Sequence, residues 1–202
     1  MNAVPSRPQR ADARSNRARI LDAAEEVFGR GGVSASTEDV ARLAGVGIAT
    51  VFRHFPAKTE LLDAVLTRRF ERMRERAEAL AVSEDPARAL FEMFTAIVSD
   101  APGKIALAEA LDEVSGGADD AASQAERASA ELRRAVGVLL GRAQEAGAVR
   151  ADIELPELYA LLIGMSRSAA VGRLEPGVQD KALGVVFDGL AAPGYKRRSN
   201  TM

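Results

Sequence analysis

The chain has 202 residues, 47% of them hydrophobic and 28% charged, and a formal net charge of -2, the balance of a globular protein and not of a disordered chain. It contains no cysteine and a single histidine, His54, which excludes disulfide frameworks, thiolate nucleophiles and cysteine-ligated zinc. No apolar run approaches the roughly 18 residues of a spanning helix and the N-terminus lacks the apolar core of a signal peptide, so the expected compartment is the cytoplasm.

Apolar residues recur at helical spacing along the chain and no period-two strand is visible, which predicts an all-α fold. Residues 1–13 read as a flexible basic arm. Ile20, Ala24, Val27 and Phe28 mark the inner face of a first helix that begins near Asn16 and stops at the Gly29, Gly31, Gly32 cluster. Ser36, with Asp39 three residues on, is a near-match to a capping box and starts a second helix over Thr37 to Ala44. Gly45-Val46-Gly47 breaks it, and Ile48 to His54 form a third helix before Phe55-Pro56. A long fourth helix then runs to Leu80 through Leu62, Val65, Leu66, Met73 and Ala77.

Asp85-Pro86 caps a fifth helix through Leu90, Phe91, Phe94, Ile97 and Val98, which Ala101-Pro102-Gly103 is expected to end. A short helix through Ile105, Leu107 and Leu111 stops before Gly116-Gly117, and one long helix follows from Asp119 to about Ala146, capped by Gly147. Two more fit Pro156 to Ala170 and Val178 to Leu190, and residues 194–202 read as a flexible tail. Gly137 and Gly141 form a small-xxx-small pair that lets two helices approach closely.

Two short helices joined by a glycine turn are the pattern of a helix-turn-helix, whose second helix enters the major groove while the first crosses the backbone. Residues 1–58 carry nine basic side chains against six acidic ones, a net +3 that leaves -5 for the remainder, which fits a polyanion-binding end. An inserted helix needs small or polar side chains on its exposed face, and Gly47, Ala49, Thr50, Arg53 and His54 supply them while Val51 faces inward. Arg53 could fork onto a guanine edge and Thr50 reach a base. Ser36 and Thr37 at a helix N-terminus, and Lys58, suit phosphates. Phe52 and Phe55 read as core by their spacing, and the arginines of the N-terminal arm as either solvated charges or non-specific phosphate partners.

The run from Glu38 to Leu62, EDVARLAGVGIATVFRHFPAKTELL, resembles the TetR family of regulators, whose pattern is D-[IV]-A-x-x-A-G-V, a short turn, then [LV]-[YF]-x-[HY]-F-P-x-K-x-x-L-L. The resemblance covers roughly residues 14–66. It implies an N-terminal three-helix DNA-binding domain over 14–58 and a helical ligand-binding and dimerisation domain over 59–193. It also implies phosphate contacts from Ser36, Thr37, Thr50, Phe52, His54 and Lys58, and base contacts from Ala49, Thr50 and Arg53. Phe52 stands where a tyrosine is common and Gly47 where a serine often caps the recognition helix.

By the same resemblance the chain is a homodimer that pairs its last two helices with their symmetry mates, Leu183 among the seam residues, and binds double-stranded DNA at a palindromic operator. The resemblance further implies a repressor released by a small effector, expected to be hydrophobic or aromatic. The expected pocket is lined by Phe91, Phe94, Leu107, Leu111, Leu132, Val136, Leu139, Tyr159, Leu162 and Met165, with Tyr159 or Arg167 as polar anchors. The helix ending at Leu80 is expected to be the only element long enough to reach both domains. No cofactor or metal is expected, and no catalysis: the one histidine lies in the recognition helix with no nucleophile elbow near it, and Glu-x-x-His pairs are absent. The alternative is a helical DNA-binding protein that senses no small molecule.

Overall fold

The computed structural model describes residues 7–115, 123–172 and 176–195, with side chains described for 12–115, 123–171 and 177–195. Its helices are α1 (Arg7–Gly31), α2 (Thr37–Ala44), α3 (Ile48–His54), α4 (Lys58–Leu80), α5 (Pro86–Ser115), α6 (Gln124–Glu145), α7 (Leu155–Gly172) and α8 (Pro176–Leu190), with a 3-10 turn at Gly32–Ser34. Among the described residues the only extended pairing is a single antiparallel bridge between Val149 and Ala191.

Local chemistry sets most of these boundaries. Ser36 caps α2 by accepting from the Asp39 backbone N–H, and Gly45 ends it at φ 64, a left-handed conformation that costs a residue with a Cβ roughly 1–2 kcal/mol. At the start of α6 the capping is reciprocal: Ser123 Oγ accepts from Glu126 N–H at 3.2 Å, and Glu126 Oε2 accepts from Ser123 N–H at 2.8 Å. Asp85 Oδ1 accepts from Arg88 N–H at 3.0 Å at the start of α5. Gly147, at φ 67, follows α6 as its capping role requires. The expected glycine stop at 116–117 lies outside the described residues, as does the expected tail beyond Tyr195; α6 begins at Gln124 behind its Ser123 cap, so the helix expected from Asp119 does not run unbroken through Ser123.

Two helices differ from expectation. α1 reaches back to Arg7, so positions 7–13 are helical and not a flexible arm. Nothing in that stretch opposes a helix: Pro8 stands in the first turn, where its missing N–H would have had no partner, and alanine and arginine are strong helix formers. α5 continues through Pro102 to Ser115 instead of ending at Gly103. An internal proline costs about 3 kcal/mol. Burial offsets it on both sides, through Val98 and Ala101 before the proline and Leu107 and Ala110 after it.

The chain divides into two compact units, Met1–Arg69 with Gly103–Arg127, and Phe70–Pro102 with Ala128–Met202. The division therefore does not follow a single cut near residue 58, and α4, α5 and α6 each contribute residues to both units, not α4 alone. In the first unit Ile20, Ala24, Phe28, Val40, Val51, Phe55, Leu61 and Leu62 are buried and hold α1 to α4 together. Arg68 donates to Asp22 at 2.7 Å and to Glu25 at 3.0 Å, and Arg69 to Glu25 at 3.3 Å, joining α4 to α1. Gly103 makes room for this group, because a Cβ there would lie 2.8 Å from Arg69 Nη2.

The core of the second unit gathers Leu90, Met93, Phe94, Val136, Leu139, Leu158, Leu162, Leu183, Phe187 and Leu190. Phe187 stacks on Phe91 with centroids 4.4 Å apart and meets the edge of Phe94 at 5.5 Å. A Cβ on Gly137 would lie 3.3 Å from Leu155 Cδ2, so Gly137 does allow α6 and α7 a close approach, whereas Gly141 has no such neighbour within 4 Å.

Candidate nucleic-acid interface

α2 and α3 are short, with eight and seven residues, and are joined through Gly45, Val46 and Gly47. Val46 N–H donates to the Ala41 carbonyl at 3.0 Å and Thr50 N–H to the Gly47 carbonyl at 2.8 Å, which closes the turn and starts α3 without a side-chain cap. Val51 and Phe55 are buried beneath α3, and Gly47, Ala49, Phe52 and Arg53 are exposed on it, with Thr50 and His54 half-buried. Phe55 is core as its spacing predicted. Phe52 is not: it is 43% exposed, because the seven-residue helix has one inner row and Val51 occupies it. An aromatic side chain therefore sits beside Arg53 on the outer face, without the hydroxyl that a tyrosine would bring.

A second group lies around the entry to α2. Ser36 Oγ donates to Asp39 Oδ2 at 2.7 Å while accepting from the Asp39 N–H. That hydroxyl holds the Asp39 carboxyl below the usual carboxylate range, with partial desolvation opposing and the Arg42 guanidinium at 2.8 Å assisting. Thr37 is 9% exposed, so its side chain is largely withdrawn from solvent. Lys58 Nζ donates to the Ala35 carbonyl at 2.8 Å and lies 5.2 Å from the centre of the Phe28 ring. Ser36, Thr37 and Lys58 are thus brought together at one junction, and Lys58 ties the start of α4 to the residues before α2.

Replacing Ser36 by alanine is expected to destabilise the first unit by about 1 kcal/mol through loss of the cap. The carboxylate of Asp39 favours folding fully above the ordinary aspartate range, and that contribution fades as pH falls through its lowered folded value. In the alanine variant an NMR titration should find Asp39 shifted back up toward the ordinary range; an unchanged titration would show that Ser36 is not the cause.

Sequence reasoning missed three basic side chains here. Arg17 lies with its guanidinium 5.0 Å from the centre of the Phe55 ring, Arg19 comes within 3.9 Å of where a Gly45 Cβ would stand, and Arg42 pairs with Asp39. The i,i+3 spacing of Asp39 and Arg42 was a local signal. Arg17 and Phe55 meet only through the fold.

Of the expected effector pocket, Phe91, Phe94, Leu132, Val136, Leu139 and Leu162 fall in one buried cluster, with Tyr159 and Met165 packed against it. Desolvation pushes the Tyr159 phenol up to about 12, opposed by the Arg133 guanidinium, which lies 4.7 Å from its ring centre. Leu107 and Leu111 belong to the first unit and do not join this cluster. Arg167 is exposed and stands outside it. Among the described residues no group of three metal-ligating side chains is gathered, and no helix is long and apolar enough to cross a membrane.

The residues that build this helix-turn-helix match the family model of bacterial regulatory proteins of the tetR family over 20–65, and those from 85 to 192, more than half of the chain, match the C-terminal domain of SbtR-like transcriptional regulators. The chain belongs to the TetR family. A TetR transcription regulatory protein from Mycobacterium vanbaalenii is similar over 92% of this chain and 100% of its own, with 35% identity and a TM-score of 0.70. The regulator SrpR of Pseudomonas putida is 49% identical over 65 residues, 32% of this chain and 30% of that protein. The repressor KstR of Mycolicibacterium smegmatis is 38% identical over 71 residues, 35% of each chain. The matched region thus spans about a third of the length of these two relatives.

Proposed function

We propose that this TetR-family chain is a sequence-specific DNA-binding transcriptional regulator. The observation that carries the reading is the outer face of α3, where Gly47, Ala49 and Arg53 are exposed above the buried Val51. Small residues admit the helix to the major groove, and Arg53 is the side chain that forks onto a guanine. Thr50 and His54 flank it, with the Ser36, Thr37 and Lys58 junction toward the phosphates. Arg53→Ala should lose about 1–3 kcal/mol of discrimination at particular base pairs, while Lys58→Ala should weaken all sequences alike and also lower stability, since Lys58 satisfies Ala35. Equal loss on specific and random duplexes for Arg53→Ala would remove it as a base reader.

The chain acts as a homodimer through α7 and α8. Ile163, Val178 and Val185 are 53%, 49% and 73% exposed on these helices, while Leu183, at 3%, belongs to the core of its own protomer. Val185→Asp should convert a dimer to a monomer at micromolar concentration without unfolding it. Sedimentation velocity reads this directly, and a variant that stays dimeric would place the interface elsewhere.

The regulator is a cytoplasmic repressor whose effector is a small hydrophobic or aromatic molecule. The aromatic and leucine cluster around Phe91, Phe94 and Leu162, with Tyr159 at its margin, supports that class of ligand. The name of the relative KstR, a repressor, supports the sign of regulation. An effector releases DNA only by binding the DNA-incompetent state more tightly, so operator DNA must weaken effector binding by the same factor, roughly 5- to 150-fold.

A further inference from the structure

The outer face of α3 carries two side chains that the Arg53 reading leaves unused. Ile48 is 36% exposed, and Phe52 stands out from the same helix four residues on. That spacing makes them neighbours on one face, with Cβ atoms about 5–6 Å apart. The inner side of α3 is already filled by Val51 and Phe55, both buried. An α-helix turns about 100° per residue, so the order around the exposed arc is Ile48, Phe52, Ala49, Arg53. The arc thus has an apolar side, Ile48 with Phe52, and a basic side at Arg53, with the small Ala49 between them.

Chemistry limits what such a strip meets in a groove. Isoleucine and phenylalanine hold no hydrogen-bonding side-chain atom, so neither holds a phosphate oxygen, the role that the family resemblance gives Phe52. The base edges in the major groove present hydrogen-bond donors and acceptors, with one apolar exception, the C5-methyl group of thymine. Against the other edges the strip would take water from polar groups and return no hydrogen bond, which is unfavourable. Against thymine it covers a methyl group and its own exposed carbons together.

We infer that Ile48 and Phe52 form a thymine-reading strip, in which apolar contact with C5-methyl groups selects A·T pairs beside the base pair that Arg53 reads. The inference rests on the DNA-binding reading above and adds two specificity-determining residues to it. Four residues advance the helix about 6 Å, close to two steps of about 3.4 Å between stacked bases, so the two side chains address different base pairs.

The test uses the full-length chain and a duplex selected from random sequence. Each thymine is replaced by uracil, one position at a time in both half-sites, which removes the methyl group and leaves every hydrogen-bonding atom of the base in place. Wild-type affinity should fall about 4-fold per methyl lost at one or two positions of the half-site. Phe52→Ala should bind the thymine duplex more weakly and become indifferent to uracil at one of these positions, and Ile48→Ala at the other. Both side chains are exposed, so thermal melting of each variant should match the wild type. The wild-type scan is read independently of the variants. A wild type that binds every uracil duplex as tightly as the thymine one would overturn the strip while leaving the helix-turn-helix reading intact, and so would a selected half-site with no A·T pair beside the guanine. Uracil losses of the same size in the wild type and both alanine variants would overturn it too, by giving the methyl groups to other residues. A wild type that selects no duplex would overturn the DNA-binding reading and the strip with it.

Discussion

Phe187→Ala is expected to destabilise the second unit by about 3–5 kcal/mol, read as a lower urea midpoint. Phe187 reaches from α8 into a trio with Phe91 and Phe94 of α5, stacked on one ring at 4.4 Å and edge-on to the other at 5.5 Å. Truncation removes a buried aromatic side chain, the paired-ring attraction, and the contacts that both partners make with it. Val185→Asp, two residues away on the same helix, is the internal contrast: Val185 is 73% exposed, so its effect on protomer stability should stay within about 0.5 kcal/mol. Similar losses for the two variants would mean that the trio does not organise this core.

Glu25→Ala should cost about 2–3 kcal/mol in the first unit. Its two carboxylate oxygens receive Arg68 and Arg69 at 3.0 and 3.3 Å, and the three side chains are only 22%, 23% and 12% exposed. Removing the carboxylate takes one acceptor from each of two poorly hydrated guanidinium groups, Arg68 keeping Asp22 at 2.7 Å, and breaking such a group costs more than the group contributes as a whole. The partial exposure scales the loss below that of a fully buried pair. Gly103→Ala attacks the same cluster from α5: the new methyl would displace Arg69 Nη2, so about 1 kcal/mol of the same loss is expected. In the double variant the two effects should overlap instead of adding, and full additivity in a thermal or urea cycle would show that they act separately.

The elements legible in the sequence were those whose ends are set by neighbours along the chain. α2 and α3 follow from Ser36 with Asp39, from the left-handed Gly45 and from the Phe55-Pro56 stop. Pro102 misled because its cost is local while the burial of Val98, Ala101, Leu107 and Ala110 that outweighs it is tertiary. Phe52 and Phe55 look alike in a periodicity argument, and only the fold separates the exposed ring from the buried one. Lys58 reads as a free cation until its carbonyl partner, Ala35, is found 23 residues away. The same holds for Glu25 with Arg68 and Arg69, 43 and 44 residues apart. Leu107 and Leu111 are grouped with Phe91 and Phe94 only through the pocket that the family resemblance implies, and the division of the chain into two units separates them.

The proposal that α3 reads duplex DNA in a symmetric dimer is tested most directly by selection of bound duplexes from a random library. The recovered sequences should share two inverted half-sites whose centres lie about one helical turn, roughly 34–36 Å, or a whole multiple of it apart. Single-base changes in either half-site should each cost about 1–3 kcal/mol, with Arg53→Ala erasing the preference at one position in each. A pool that shows no enriched sequence, or an enriched motif with no inverted repeat, would contradict the assignment of α3 and of the two-fold symmetry together.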